Sequence, residues 1–180
     1  MSSTASATTP VGTWQLDRIH SSVGFEVAYL GGTFRGQFRD VAAELAVDES
    51  RATLTGSAAV SSVDVKDENL KVHLQSPEFF DAERYPELRF GAEELDIDGE
   101  SITARGELTI KGVTKPAVVS GTIAPPLTDP YGNERVGVKL TTTVDRTDFG
   151  VSWNAELPTG EPALSNEVKL LAELYFVRKA

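Results

Sequence analysis

Three groups of polar residues have the types and spacing to do chemistry. Asp17, Arg18 and His20 fall within one short stretch and can form either a charged cluster at a cavity mouth or a structural network. Asp145, Arg146 and Asp148 precede Phe149-Gly150, where Arg146 is expected to pair with a carboxylate and organise a strand-ending corner. Arg84 closes the run His73-Leu74-Gln75-Ser76-Pro77-Glu78-Phe79-Phe80-Asp81-Ala82-Glu83-Arg84, and either holds that segment in place or faces a ligand. A nucleophile, its base and an orienting third group are brought together by the fold, so spacing alone shows no catalytic triad. The chain has no cysteine and two histidines. That excludes disulfides and thiolate chemistry and leaves too few ligands for a multi-histidine metal site, so no metal or cofactor is expected.

The elements that would position these groups are strands. From Ser101 to Lys111, Ile102, Ala104, Gly106, Leu108 and Ile110 share one face while Thr103, Arg105, Glu107 and Thr109 share the other, the alternation of a half-buried antiparallel strand. Arg135 to Asp145 repeats it with Val136, Val138, Leu140, Thr142 and Val144, and the C-terminal run with Val168, Leu170, Ala172, Leu174 and Phe176. At about 3.3 Å per residue such runs span roughly 36 Å, well beyond an ordinary strand. Further strands are expected over residues 13–16, 22–30, 33–38, 41–47, 54–60, 87–97 and 115–124, with hairpin turns at Gly31-Gly32 and Asp98-Gly99. The apolar face switches from even to odd positions between Ala92 and Leu95, which predicts a bulge near Glu93-Glu94. If some of the shorter pieces are continuous, the count is eight to ten strands, tall enough for a barrel. The break in this pattern is the segment from about 67 to 85. Asp67 can cap a short helix that carries Leu70, His73 and Leu74 on one face and ends at Ser76-Pro77. Phe79 and Phe80 follow, a plug of two aromatics that needs a buried place.

With 180 residues and 40% hydrophobic content the chain is expected to form one domain over residues 12–180 after a tail over 1–11. A net charge of −10 argues against nucleic acid and against anionic membrane surfaces. The first ten residues show neither a basic region nor an apolar run, and no stretch approaches a membrane helix. Stable membrane insertion is therefore not expected, and the location is read as cytoplasmic unless a leader was removed.

Four motifs in order carry a resemblance. These are Trp14-Gln15-Leu16-Asp17 with His20-Ser21 and Val23-Gly24-Phe25; His73 to Asp81 with Tyr85-Pro86; Gly106-Glu107-Leu108-Thr109-Ile110-Lys111-Gly112-Val113-Thr114-Lys115-Pro116; and Asp145-Arg146-Thr147-Asp148-Phe149-Gly150. Over about residues 12–178 the chain resembles the YceI-like family. The resemblance implies an all-β fold: an antiparallel, lipocalin-like β-barrel of about eight long strands with a short helical insert, whose elongated apolar cavity holds polyisoprenoid or other long-chain lipids. Two positions depart from the family pattern. Tyr29 stands where many members carry a histidine, and Asp64-Val65-Lys66 where many have Asp-Thr-Gly, so head-group recognition is not carried over.

A barrel of about eight strands can be filled by side chains or left open for one ligand. The inward positions here mix Gly56, Ala58, Ala104 and Gly106 with large residues, consistent with a tube open along part of its length, although glycines also ease strand curvature. The expected wall is Phe25, Val27, Tyr29 and Phe34 from the first hairpin, Leu70, Leu74, Phe79 and Phe80 from the insert, and Phe90, Leu108, Ile110, Val138 and Leu140 from the long strands. Phe149 joins them with Trp153, which lies in the long segment 151–166, the expected lid. A polar head would sit near Tyr29, His20 or Arg84. The partner is then a long-chain isoprenoid, isoprenoid quinone or precursor, or acyl lipid, carried or stored without catalysis; a homodimer is compatible with the sequence. The alternative is an enzyme that uses the cavity to fold a polyene-like substrate for cyclisation or isomerisation.

Overall fold

The computed structural model describes residues 11–179; the expected tail lies, except for Val11, outside the described residues. The alternating segments become antiparallel strands in chain order. The first five are β1 (Gly12–Leu16), β2 (Ser22–Tyr29), β3 (Gly32–Phe38), β4 (Val41–Val47) and β5 (Ala52–Ala59). The short β6 (Val63–Asp64) leads into the single α-helix among the described residues, α1 (Glu68–Gln75). Then come β7 (Glu87–Asp98), β8 (Ser101–Ile110), β9 (Val113–Ile123), the short β10 (Leu127–Thr128), β11 (Glu134–Asp145) and β12 (Leu164–Arg178).

β12 is the seam that closes the barrel. One of its edges pairs with β11 from Arg135↔Val177 to Asp145↔Glu167. Its other edge is shared, β2 taking Leu164 to Glu173 and β1 taking Phe176 to Arg178. β4 pairs with β1 and β3 with β2, while β5 and β6 continue outward from β4 and β3. The segments β1/β2, β3/β4 and β5/β6 thus act as three long staves. With β7, β8, β9, β11 and β12 they make an eight-stave antiparallel barrel. The chain can follow one stave through two segments because each pair is joined by a short corner rather than a reversal.

Two details of the strand reading are resolved by geometry. The register of β7 on β8 shifts between Ala92 and Glu94, so the change of apolar parity is a bulge, as expected. The first hairpin turns one residue earlier than expected: Leu30 and Gly31 take left-handed conformations at φ 50° and 80°, and Gly32 already pairs with Tyr29. A two-residue turn of this kind matches strand twist, and the Leu30 N–H donates to the Ala163 carbonyl at 3.1 Å.

The sheet ends at β6, and β7 pairs only with β5 and β8. The insert covers that gap in the wall. Asp67 caps α1 by accepting from the Asn69 N–H at 2.9 Å, and Ser76 ends the helix before Pro77. The chain then turns tightly, with Phe79 and Asp81 N–H both donating to the Ser76 carbonyl. Lys111, in the left-handed region in the β8–β9 turn, sends its ammonium to the Pro77 carbonyl at 2.5 Å and the Gly150 carbonyl at 3.1 Å. That staple joins three separate segments at the rim.

Two packed regions divide the interior. Trp14, Leu45, Ile102, Val136, Val138 and Phe176 fill one end. Phe25, Val27, Phe38, Leu74, Phe79, Leu108, Ile110 and Phe149 surround the other.

Candidate functional site

The second region is hollow. A cavity of about 330 Å³ opens within it, in the range of about 300–1,000 Å³ typical of small-molecule sites. Phe25, Val27, Tyr29 and Phe34 line it from the first hairpin, and Leu70, Leu74, Phe79 and Phe80 from the insert. Phe90, Leu108, Ile110, Leu140, Phe149 and Trp153 complete the wall. The physical reason is the strand period: residues two apart on β2, β8 and β11 point to one side, and here that side encloses space. Val138 does not take part. It is one of the most deeply buried residues and packs in the dense end instead, because β11 runs the full length of the barrel and only its later residues reach the cavity.

Aromatic rings set the shape. Phe25 meets Phe34, Phe38 and Phe80 with ring centroids at 5.7, 6.0 and 6.4 Å. Edge contacts at such distances contribute about 0.5–1.5 kcal/mol each beyond burial. Gly36 makes this cluster feasible, since a Cβ there would lie 2.5 Å from the Phe25 ring. At the insert, the His73 ring stands edge-on between Phe79 at 4.8 Å and Trp153 at 5.1 Å. The rings of the plug form part of the cavity wall. Gly56 lines the cavity, but Gly106 does not; a Cβ at Gly106 would sit 2.0 Å from the Gly91 carbonyl oxygen. Gly106 permits close strand approach beside the bulge, the curvature role.

The three head-group candidates are not brought together. Tyr29 lines the cavity. His20 lies before β2, at the opposite end of that strand from Tyr29, with its ring exposed and its Nδ1 2.7 Å from Asp17 Oδ2. It belongs to a network in which Arg135 bridges Asp17 and Asp129 at 2.8 and 2.6 Å, while Arg18 pairs with Asp40. Burial raises the Asp17 carboxyl, but hydrogen bonds from Arg135, His20 and the backbone N–H groups of Ile19 and His20 overcome it and hold it at about 2. Asp129 is likewise held at about 2, first by Arg135 and then by the Asn133 and Tyr131 N–H groups. Arg84 contacts the buried Asp81 at 3.3 Å within the insert and does not line the cavity. Neither His20 nor Arg84 lines the hollow.

Two wall residues escaped the sequence reading of the head-group site. His73 was placed on the helix face, but nothing local shows that its ring enters the wall. Arg146 was expected to pair with a carboxylate. Instead its guanidinium is buried and donates to main-chain carbonyls: Nε to Ser165 at 2.9 Å, and Nη1 to Val151 and Trp153 at 2.8 Å each. Asp145 turns back to accept from the Thr147 N–H and hydroxyl. A flanking pair of acids made the ion pair look natural; the local turn takes Asp145 away. Arg146 thereby pins the segment expected as a lid. Asn154 pins it again, accepting from the Leu164 N–H at 2.9 Å and donating to the Leu164 carbonyl at 2.7 Å. The last residues of that segment, from Leu164, already belong to β12.

Comparison with known proteins agrees with this architecture. The family profile described as YceI-like domain matches residues 14–176. A UPF0312 protein of Pseudomonas putida strain W619 is 33% identical over 141 residues, covering 73% of this chain and 71% of that protein. The crystal structure of Burkholderia cenocepacia BcnA superposes with a TM-score of 0.75 at 21% identity, over 89% of this chain and 98% of that one. A polyisoprenoid-binding domain from Saccharophagus degradans superposes with a TM-score of 0.65 at 11% identity, over 92% and 98% of the two chains.

Proposed function

Because the chain belongs to the YceI-like family, we propose that its barrel binds one long-chain apolar lipid, as a carrier or store and without catalysis. The observation that carries this reading is the hollow end of the barrel, a space whose wall is almost wholly hydrocarbon. An apolar chain entering it gains roughly 0.8 kcal/mol per buried CH₂, so a few isoprene units exceed the association cost of about 4–15 kcal/mol. Affinity then comes from the chain, and length preference from the depth between the insert and the dense core. The polyisoprenoid-binding domain that shares the fold supports an isoprenoid as ligand; a quinone precursor or fatty-acid derivative meets the same physical demand.

Organic extraction of gently purified protein tests it. The expected extract holds a long-chain isoprenoid or acyl compound at close to one per chain. An empty extract, together with no uptake of added polyprenyl lipid by the same protein, would sink the carrier reading.

A further inference from the structure

β9 and β11 are zipped together over part of their length only. They pair from Val138↔Ile123 to Thr141↔Ser120. Gly121 lets them touch there, since a Cβ on it would lie 1.8 Å from the Lys139 carbonyl oxygen. Beyond that point β11 runs on to Asp145 and β9 back to Val113 with no ladder between them. Along residues 113–119, β9 keeps β8 on one edge and has no strand on the other.

The sequence explains why the zip stops. The Ala124 N–H donates to the Gly137 carbonyl and the Ile123 N–H to the Glu100 carbonyl. Even-numbered residues of β9 therefore turn their main-chain groups toward β11, and odd-numbered ones toward β8. In a continued ladder the next bonded partners would be Val118 with Thr143 and Pro116 with Asp145. Pro116 has no N–H to give. The Val118 carbonyl accepts instead from the Thr142 hydroxyl at 2.9 Å, a side-chain bond at the head of the slot.

The slot leads from the hollow to water. Lys115 stands opposite Leu108, so the two share the face that lines the hollow, yet Lys115 is exposed. Its neighbours on that face, Val113 and Ala117, pack on the hollow-end cluster, as does Val144 of β11. Val119, Thr142 and Val144 line the hollow itself. These borders are mostly apolar side chains, which can part without breaking a ladder. The end of the barrel is fastened more firmly. Lys111 ties Pro77 to Gly150, Arg146 holds Val151, Trp153 and Ser165, and Asn154 bonds Leu164 twice. Ala163 adds main-chain bonds to Leu30 and Ala155.

Resting on the reading of the cavity as a lipid site, we propose that the lipid enters and leaves sideways, through the slot between β9 and β11 beside Lys115, while the insert and the segment 151–163 stay shut. Pro116 keeps the slot unzipped, and the Thr142 hydroxyl is its latch.

The absence of cysteine from the chain lets a single introduced thiol carry a bulky block. Lys115→Cys, Leu30→Cys and Val72→Cys, all at exposed positions, are each capped with a polyethylene glycol maleimide. The last two place the block at the hairpin tip and on the insert. Uptake of cis-parinaric acid, a polyene fatty acid that fluoresces out of water, is followed by stopped flow, and its release by a chase of hexadecanoic acid. The cap at Lys115→Cys should slow uptake and release by the same factor, about tenfold or more, so that Kd is unchanged. Caps at Leu30→Cys and Val72→Cys should leave both rates as in the wild type. Thr142→Val, which frees the latch, should raise both rates about fivefold, the equivalent of one neutral hydrogen bond. Unchanged rates with the Lys115→Cys cap, equal slowing by either other cap, or unchanged rates in folded Thr142→Val protein would overturn the proposal. Failure of uncapped wild-type protein to take up the probe would instead overturn the lipid-site reading itself.

Discussion

A carboxylate held far below its ordinary pKa stores stability that acid removes, and Asp17 and Asp129 are two such groups on one arginine. Both sit at about 2 in the folded protein, against about 4 in an unfolded chain. The unfolded state therefore binds more protons between these values. The stabilisation is fully present above about pH 4 and is lost as pH falls through about 2. Arg135→Gln should lower the melting temperature near neutrality, and its deficit from the wild type should shrink steadily as pH falls from about 4 toward 2. A deficit that stays constant across that range would mean that Arg135 acts through packing alone. At this scale the apolar wall was legible, because period two assigns each strand residue a side. Phe25, Leu108 and Ile110 needed no knowledge of the rest of the fold. For His20 and Arg84 the string leaves a structural and a ligand role open, and for Arg146 it misplaces the partner, because their contacts depend on which way a loop turns. Asp145 leaving Arg146 for Thr147 is invisible in a string that reads Asp-Arg-Thr-Asp.

The insert shows what one element contributes to the whole wall. The aromatic pair and the cap at Asp67 announced a short helix followed by a buried plug, and both are present. How its rings enter the cavity wall was hidden, since that depends on pairing between residues far apart in sequence. Leu74, 3% exposed, is where α1 joins the cavity wall. Leu74→Ala should destabilise the protein by about 2–5 kcal/mol, toward the lower end because the void merges with existing space. Trp153 lies across from the helix on His73 and Phe79, so a bound lipid should shift tryptophan emission in Trp14→Phe protein but not in Trp153→Phe protein. An unchanged melting temperature in Leu74→Ala, or a lipid-induced shift that survives loss of Trp153, would remove the insert from the site.

The molecule as a whole is a barrel with one solid end and one hollow end. Trp14, Leu45 and Phe176, each fully buried, make up the solid end. That dense packing lets the other end remain open without the cost of collapse falling on the whole fold. Alternation alone could not separate the two ends, because Val138 and Leu140 read identically along β11 while only Leu140 reaches the cavity. Filling was a question of where the long strands converge, settled by β12 bridging β1, β2 and β11. The central claim is that one long apolar chain occupies the hollow end, and native mass spectrometry of protein incubated with polyprenyl lipid addresses it most directly. Leu108 is 8% exposed on the wall, while its neighbour Glu107 faces solvent. The expected spectrum carries one lipid per chain in the wild type and in Glu107→Gln. The adduct should vanish in Leu108→Asp, where a charge in the wall costs several kcal/mol unless water reaches it. A bare wild-type mass, or an adduct carried equally by folded Leu108→Asp protein, would contradict the account.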